Sequence, residues 1–384
     1  MKKPNVIFVS YMQDPYICGS STQIMVRNLL RGLKEVSGKV TFVAITNKGC
    51  NNEHVKEYYS KEVDLVITTE SYLNLSSKNK YAQLLQNAKG LIKTSIYRDA
   101  VAELNLAEAD ILISHTPSFE SFAFCKEVLK KRKNLRYIQY WSDPYTLSLT
   151  VPEKVGTKRL PFRILESYVL SRCDEVVYGT KSLMDGEKVI FPKFAGKMRY
   201  IDASYGTENI DNPERVGKTK VFGYSGNFYQ RIRNIEPLYR AFQTIDGAEL
   251  LICGSGDVEI AERENIRCLS RVSQQEIPEI EKQMDVLVCL LNKDCIQIPG
   301  KIFYNTNSKK PILVILDGPY QEEMREYLED FQRFEFCENN VESIKAAVAK
   351  IQREGGKVNL SQIHRLSPEA IAKDLIGKEE KKCE

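Results

Sequence analysis

The sequence predicts an α/β protein built from two parallel, doubly wound sheets. Three observations carry that expectation: chain length, a repeated strand-helix grammar, and one polar interruption after which the grammar restarts. At 384 residues the chain exceeds one ordinary core and suits two domains of roughly 150 to 200 residues each. "NVIFVSY" (5–11), "KVTFVAIT" (39–46), "VDLVITT" (63–69), "ADILISH" (109–115), "LRYIQYW" (135–141) and "DEVVYGT" (174–180) are near-continuous apolar runs. Parallel strands covered on both faces read this way. Helical stretches lie between them, with Ile24, Met25, Leu29, Leu30 and Leu33 on one face of 22–36.

The interruption, "TENIDNPERVGKTK", carries Pro and Gly and has no apolar period. It places a linker at 206–219 between a first domain, 1–205, and a second, 220–362. Strand runs then resume at "KVFGYSG" (220–226), "ELLICGSG" (249–256), "IRCLSRV" (266–272), "MDVLVCLL" (284–291), "PILVIL" (311–316) and "FEFCE" (334–338). Open α/β sheets bind ligands outside the carboxyl ends of their strands, so the ligand site is expected in a cleft between the two Rossmann-like domains.

Composition narrows the class. With 42% hydrophobic and 28% charged residues the chain is neither disordered nor fibrous. The start, "MKKPNVIFVS", has an apolar run too short for a signal segment or a membrane span, so a cytoplasmic protein is expected. Ten cysteines with no CxxC pair read as reduced, mostly buried thiols. The net charge of +4 does not indicate a nucleic-acid binder, and none is expected as a partner. Two basic clusters stand out, 126–136 and 154–163; the latter sets Lys154, Lys158, Arg159 and Arg163 beside Leu160 and Phe162. Each is either a solvated face or a weak contact with an anionic membrane surface.

Four loops after strands have residues suited to holding phosphate. In the first, Gly19 and Ser20 precede a helix, where free N–H groups meet an anion or Ser20 simply caps the helix. The chain has neither GxGxxG nor a P-loop pattern there. In the second, Gly226 and Asn227 end a strand and Arg231 and Arg233 follow, placed for bidentate contact with a diphosphate. In the third, Gly254-Ser255-Gly256 forms a tight turn in which glycine serves the backbone. The fourth sets Lys301 directly after Pro299-Gly300, in a first helical turn whose dipole would repel it unless an anion intervened. Tyr304 to Ser308, which follow, are mediocre helix formers.

The series "YSGNF…RN" (224–234), "LLICGSGD" (250–257), "LSRVSQQEIPEIEKQMDVLV" (269–288) and "IPGKIFYNTNSKKPILVI" (298–315) resembles the second domain of retaining GT-B-fold glycosyltransferases of the family 4-like group. "YIQYWSDP" (137–144) and "DEVVYGTKSL" (174–183) resemble the same group, especially its members in bacterial polysaccharide assembly. The resemblance implies an α/β GT-B architecture, a nucleotide-diphosphate sugar held by the second domain, and a glycan or lipid-linked acceptor held by the first. It implies that Arg231, Arg233 and Lys301 hold the diphosphate, backbone at Arg271 and Val272 reads the base, and the turn at Gly300 approaches the sugar. No cofactor is implied, and three histidines without a clustered Asp pair offer no metal site. The segment from 363 to 384 is expected to form a helix that crosses back to the first domain.

Many relatives carry two glutamates eight residues apart, the second of which binds the ribose; Ile296 and Tyr304 occupy these positions here. Either the Tyr304 hydroxyl or Asn305 substitutes for that carboxylate, or donor affinity and activity are weakened. In the first domain, His115 ends a strand as a catalytic candidate, and Asp143 is an acceptor-binding candidate whose other role is a turn cap. Glu166 reads as a helix-face residue. The expected activity is metal-independent transfer of a hexose-type unit in cell-surface polysaccharide synthesis, by an enzyme that is cytoplasmic or peripheral to the membrane. The rivals are a nucleotide-sugar 2-epimerase and a catalytically silent glycan- or nucleotide-binding partner.

Overall fold

The computed structural model describes residues 2–17, 20–72, 80–116, 118–143, 145–147, 160–206, 210–211, 219–273, 275–293 and 297–377. Lys154, Lys158, Arg159, Gly19, Ile296 and most of the 206–219 linker lie outside the described residues. The chain divides into two compact units, Met1–Ser204 with Ser367–Glu384, and Tyr205–Leu366.

Unit 1 holds a seven-stranded parallel sheet: β1 (Val6–Met12), β2 (Val40–Thr46), β3 (Leu65–Glu70), β4 (Ile111–His115), β5 (Arg136–Trp141), β6 (Glu175–Tyr178) and β7 (Met198–Tyr200). Its order is β3-β2-β1-β4-β5-β6-β7, so the winding reverses between β1 and β4. The intervening helices are α1 (Ser21–Val36), α2 (Asn52–Tyr59), α3 (Lys80–Ile92), α4 (Arg98–Ala102), α5 (Phe119–Lys131), α6 (Leu160–Leu170) and α7 (Lys181–Ile190). Strands β1 and β2 are buried at every position, which explains why they read as unbroken apolar runs. The C-terminal helix, Pro368–Ile376, packs on α1, and Arg136 donates to the carbonyls of Ile376 and Gly377 at its end.

Unit 2 repeats the design with six parallel strands: β8 (Lys220–Ser225), β9 (Ala248–Cys253), β10 (Ile266–Leu269), β11 (Val286–Leu290), β12 (Ile312–Leu316) and β13 (Glu335–Glu338). The order β10-β9-β8-β11-β12-β13 puts its reversal between β8 and β11. Helices α8 (Glu236–Phe242), α9 (Ile277–Lys282), α10 (Lys301–Tyr304), α11 (Gln321–Glu329) and α12 (Val341–Glu354) complete it. Strand β10 stops at Leu269, short of the run read from the sequence, and leaves Arg271 and Val272 in the loop beyond.

The basic segment 126–136 is largely spent inside unit 1. Lys126 donates to the Leu91 carbonyl and the Tyr168 hydroxyl, Lys130 pairs with Glu127 at 2.6 Å, and Arg136 pairs with Glu175. Phe162, expected as an apolar insertion, is buried against Tyr81 and Tyr145, while Leu160 and Arg163 are exposed. No helix among the described residues is long and apolar enough to cross a membrane.

Glu166, read as a helix-face residue, lies on α6 and is fully buried. Its Oε2 accepts from the Thr146 N–H and hydroxyl, but Oε1 has no partner, and neither oxygen of the buried Glu187 has one. Burial pushes the Glu166 carboxyl up to about 7, and burial with the neighbouring Glu166 charge pushes Glu187 well above the carboxylate range. A folded pKa above the unfolded one favours the protonated native state. Stability is therefore greatest near and below the unfolded value and is lost as pH rises toward the folded one, at about 1.4 kcal/mol per pH unit for each carboxyl. Glu187→Gln should raise the unfolding temperature at pH 8 and converge with the parent near pH 5. Scanning calorimetry across that range tests this, and an offset independent of pH would contradict it.

Candidate functional site

The site of unit 2 is built where β8 and β11 diverge, the position at which open parallel sheets hold ligands. Ser225 ends β8, and the turn after it stacks on the turn after β9: Gly226 N–H donates to the Cys253 carbonyl, and Phe228 N–H to that of Ser255. A Cβ at Gly254 would lie 1.9 Å from the Gly226 oxygen, so only glycine allows this approach. The Asn227 carbonyl accepts from the Tyr224 hydroxyl, whose pKa burial pushes up to about 12. Arg231 is exposed. Arg233 is half-buried, and its Nε donates to Asn292 Oδ1 at 2.8 Å, while Asn292 donates onward to the Gln297 carbonyl at 2.7 Å. That chain ties the arginine loop after β8 to the loop after β11.

Lys301 opens α10, and the charge conflict read from the sequence has a partner inside the protein. Its Nζ donates to Ser225 Oγ at 2.5 Å and to Glu281 Oε1 at 3.2 Å, and Ser225 Oγ donates to the same carboxylate oxygen at 2.5 Å. Glu281 sits on α9 with its side chain 5% exposed, against 29% for Lys301. The anion beside Lys301 is a carboxylate from α9, bonded to the lysine and to a serine hydroxyl. Gly300 precedes α10, and Tyr304, also buried, folds back so that a Cβ on Gly300 would lie 2.6 Å from its hydroxyl. Asn305 caps α10 at its end, half-buried. The poor helix formers beyond are accounted for by one local and two long-range bonds: Thr306 Oγ1 donates to the Phe303 carbonyl, Asn307 to the Gly206 carbonyl and Ser308 to Asp211 Oδ1. Arg271 is exposed beyond β10, and the adjoining Ser270 carbonyl lies 3.7 Å from the Cys253 sulfur.

Unit 1 places its candidates at the equivalent reversal. His115, at the end of β4, is fully buried between Phe8 and Tyr140, and burial holds its imidazole down at about 3. Ser10 Oγ lies 2.8 Å from Nδ1, Ser142 Oγ lies 3.0 Å from Nε2, and Ser142 donates to Asp143 Oδ2 at 2.9 Å. Ser142 has one proton and gives it to Asp143, so Nε2 must carry the imidazole proton and Nδ1 accepts from Ser10. A neutral, buried histidine with this tautomer can orient Ser142 and Asp143. Ser20 caps α1 in a reciprocal pair with Gln23, whose Oε1 accepts from the Ser20 N–H.

Sequence reading missed Glu281, Ser225, Asn292, Ser10 and Ser142. A signal existed for Glu281: it lies four residues after Ile277 and three before Met284, on the inward face of its helix.

The two doubly wound units define the GT-B fold. Among solved structures the chain is similar to the lipopolysaccharide outer core galactosyltransferase WaaB in its apo form, at 13% identity and TM-score 0.55, covering 96% of this chain and 95% of that one. It is similar to HepE of Anabaena in complex with UDP and glucose, at 11% identity and TM-score 0.55, covering 96% and 94%. A UDP-N-acetylglucosamine 2-epimerase shares the fold at 10% identity and TM-score 0.52, covering 96% and 91%. No protein-family profile matches the chain, and no curated protein sequence does. Identities this low establish the fold and leave the reaction to the chemistry of the site.

The stacked turns give a direct test. Gly254→Ala should cost about 1–3 kcal/mol through forced separation of the two turns. Gly196→Ala, which meets nothing within 4 Å, should cost far less. Equal losses in denaturant titrations of the two variants would remove the close approach from the account.

Proposed function

We propose that the protein is a glycosyltransferase that moves a sugar from a nucleotide-diphosphate sugar to a glycan or lipid-linked acceptor, with retention of anomeric configuration. The observation that carries this reading is the ammonium of Lys301 at the end of β8, beside the reversal of the unit 2 sheet. Arg233 is fixed on the adjoining loop and Arg231 is exposed near it. As the bond between sugar and diphosphate breaks, negative charge grows on the leaving oxygen. Cations already held in place stabilise that charge more in the transition state than in the ground state, without a metal ion. Backbone at Arg271 and Val272 reads the base, the turn at Gly300 approaches the sugar, and the Tyr304 hydroxyl or Asn305 meets the ribose. Gly226, Asn227 and Gly254 shape the floor under the diphosphate. Unit 1 takes the acceptor, with Asp143 oriented by Ser142 and His115. The resemblance of 298–315 to retaining enzymes supports the stereochemical assignment, and the WaaB likeness agrees with a role in cell-surface polysaccharide synthesis.

A panel of nucleotide sugars should include one that raises the unfolding temperature, since a ligand at 100 times its dissociation constant adds about 2.7 kcal/mol. Turnover with that donor should persist in EDTA. Lys301→Ala alone would strand the buried Glu281 carboxylate, so Lys301→Met combined with Glu281→Gln, which removes both charges, is the cleaner variant. It should fold and lose about 100-fold or more in turnover. Undiminished turnover would refute the diphosphate role. Donor binding without turnover on any acceptor would identify a silent binding partner, and interconversion of 2-epimers would identify an epimerase.

A further inference from the structure

We infer that Glu281 is a positioning residue for Lys301, an assignment that rests on the donor reading above. The residue is held at two points. The side chain accepts from Ser225 and Lys301 through one oxygen, Oε1, at 2.5 and 3.2 Å. The backbone carbonyl accepts from the buried Lys310 Nζ at 2.7 Å, and the same ammonium donates to the carbonyls of Lys282 at 3.2 Å and Met284 at 2.6 Å. Lys310 therefore caps the end of α9, a helix of six residues, adding its donors to the Met284 N–H that also reaches the Glu281 carbonyl. Glu281 is thereby fixed in space before any ligand arrives.

Its effect on Lys301 follows from donor counting. An ammonium has three N–H donors; Ser225 takes one and Glu281 another, which leaves a third on a side chain 29% exposed. A lysine on a flexible four-carbon stem normally spreads its charge over many rotamers. Bonded to both Ser225 and Glu281, its ammonium is held at the end of β8 with one donor remaining for a diphosphate oxygen. Preorganisation of this kind speeds the chemical step more than it tightens substrate binding, because the cation need not be ordered as charge develops.

Two measurements on the full-length protein separate this inference from the donor reading. The first needs no nucleotide: acetylation of Lys301 by acetic anhydride, followed by mass spectrometry, should be several-fold faster in Glu281→Gln than in the parent, as an untethered amine is more reactive. Equal rates would overturn the positioning role. The second is kinetic. Glu281→Gln, which keeps an acceptor oxygen but loses the charge, should lower kcat about tenfold to a hundredfold while KM for the donor changes much less. In the Lys301→Met background the same substitution should change turnover by no more than about twofold. A residue that merely supports the fold would show independent, multiplying effects, and that result would also overturn the inference. Altered acetylation in a protein that binds no nucleotide sugar would uphold the tether and dismiss the donor reading.

Discussion

Burying a carboxylate in a protein interior costs several kcal/mol unless a cation and hydrogen bonds meet it, and the ligand edge of unit 2 is organised by that constraint. Glu281 is held below β8 by α9, so a cation must reach it, and the chain supplies Lys301 from a different loop. That requirement fixes where α10 starts. It also fixes Ser225, whose hydroxyl bridges the pair, and through Ser225 the first residue of the turn that stacks on Gly254. Two further buried cations hold the frame through backbone carbonyls. Arg333 donates to the carbonyls of Thr306, Ser308 and Lys310, and Lys310 donates to those at the end of α9. These cations meet oriented carbonyl dipoles, whereas Lys301 meets the carboxylate of Glu281.

Unit 1 solves the same topological problem with neutral groups. At its reversal between β1 and β4 the chain Ser10–His115–Ser142–Asp143 runs from the core to the half-buried Asp143. The imidazole is kept uncharged by burial, so no counter-charge is needed beneath it. One unit thus presents a cation backed by an acid, and the other a carboxylate backed by hydroxyls and a neutral ring.

How much of this was legible in the sequence depended on whether the signal was local. Parallel strands buried on both faces announce themselves as apolar runs, and β1, β2, β11 and β12 fall where those runs lie. Gly254 and Gly226 were readable as turn residues, though the contact between them was not, since it joins loops after two different strands. His115 was readable as a strand end at a sheet edge, but not as buried, because burial depends on Phe8 and Tyr140 from neighbouring strands. Glu166 was read only as a helix-face residue, and Glu281 was not singled out. Charge alone carries no sign of which helix face turns inward, and only the spacing of Ile277 and Met284 around Glu281 could have shown it.

Position 304 is where resemblance and structure meet most closely. The group that 298–315 resembles has a glutamate there, whereas Tyr304 here turns its ring back over Gly300 and fills the space a Cβ would need. The buried Tyr304 hydroxyl thus lies against the turn that starts α10, and the carboxylate that meets Lys301 comes from Glu281 on α9. The start of α10 is therefore set by ring packing and by an ion pair to a different helix, neither of which leaves a mark in the local sequence.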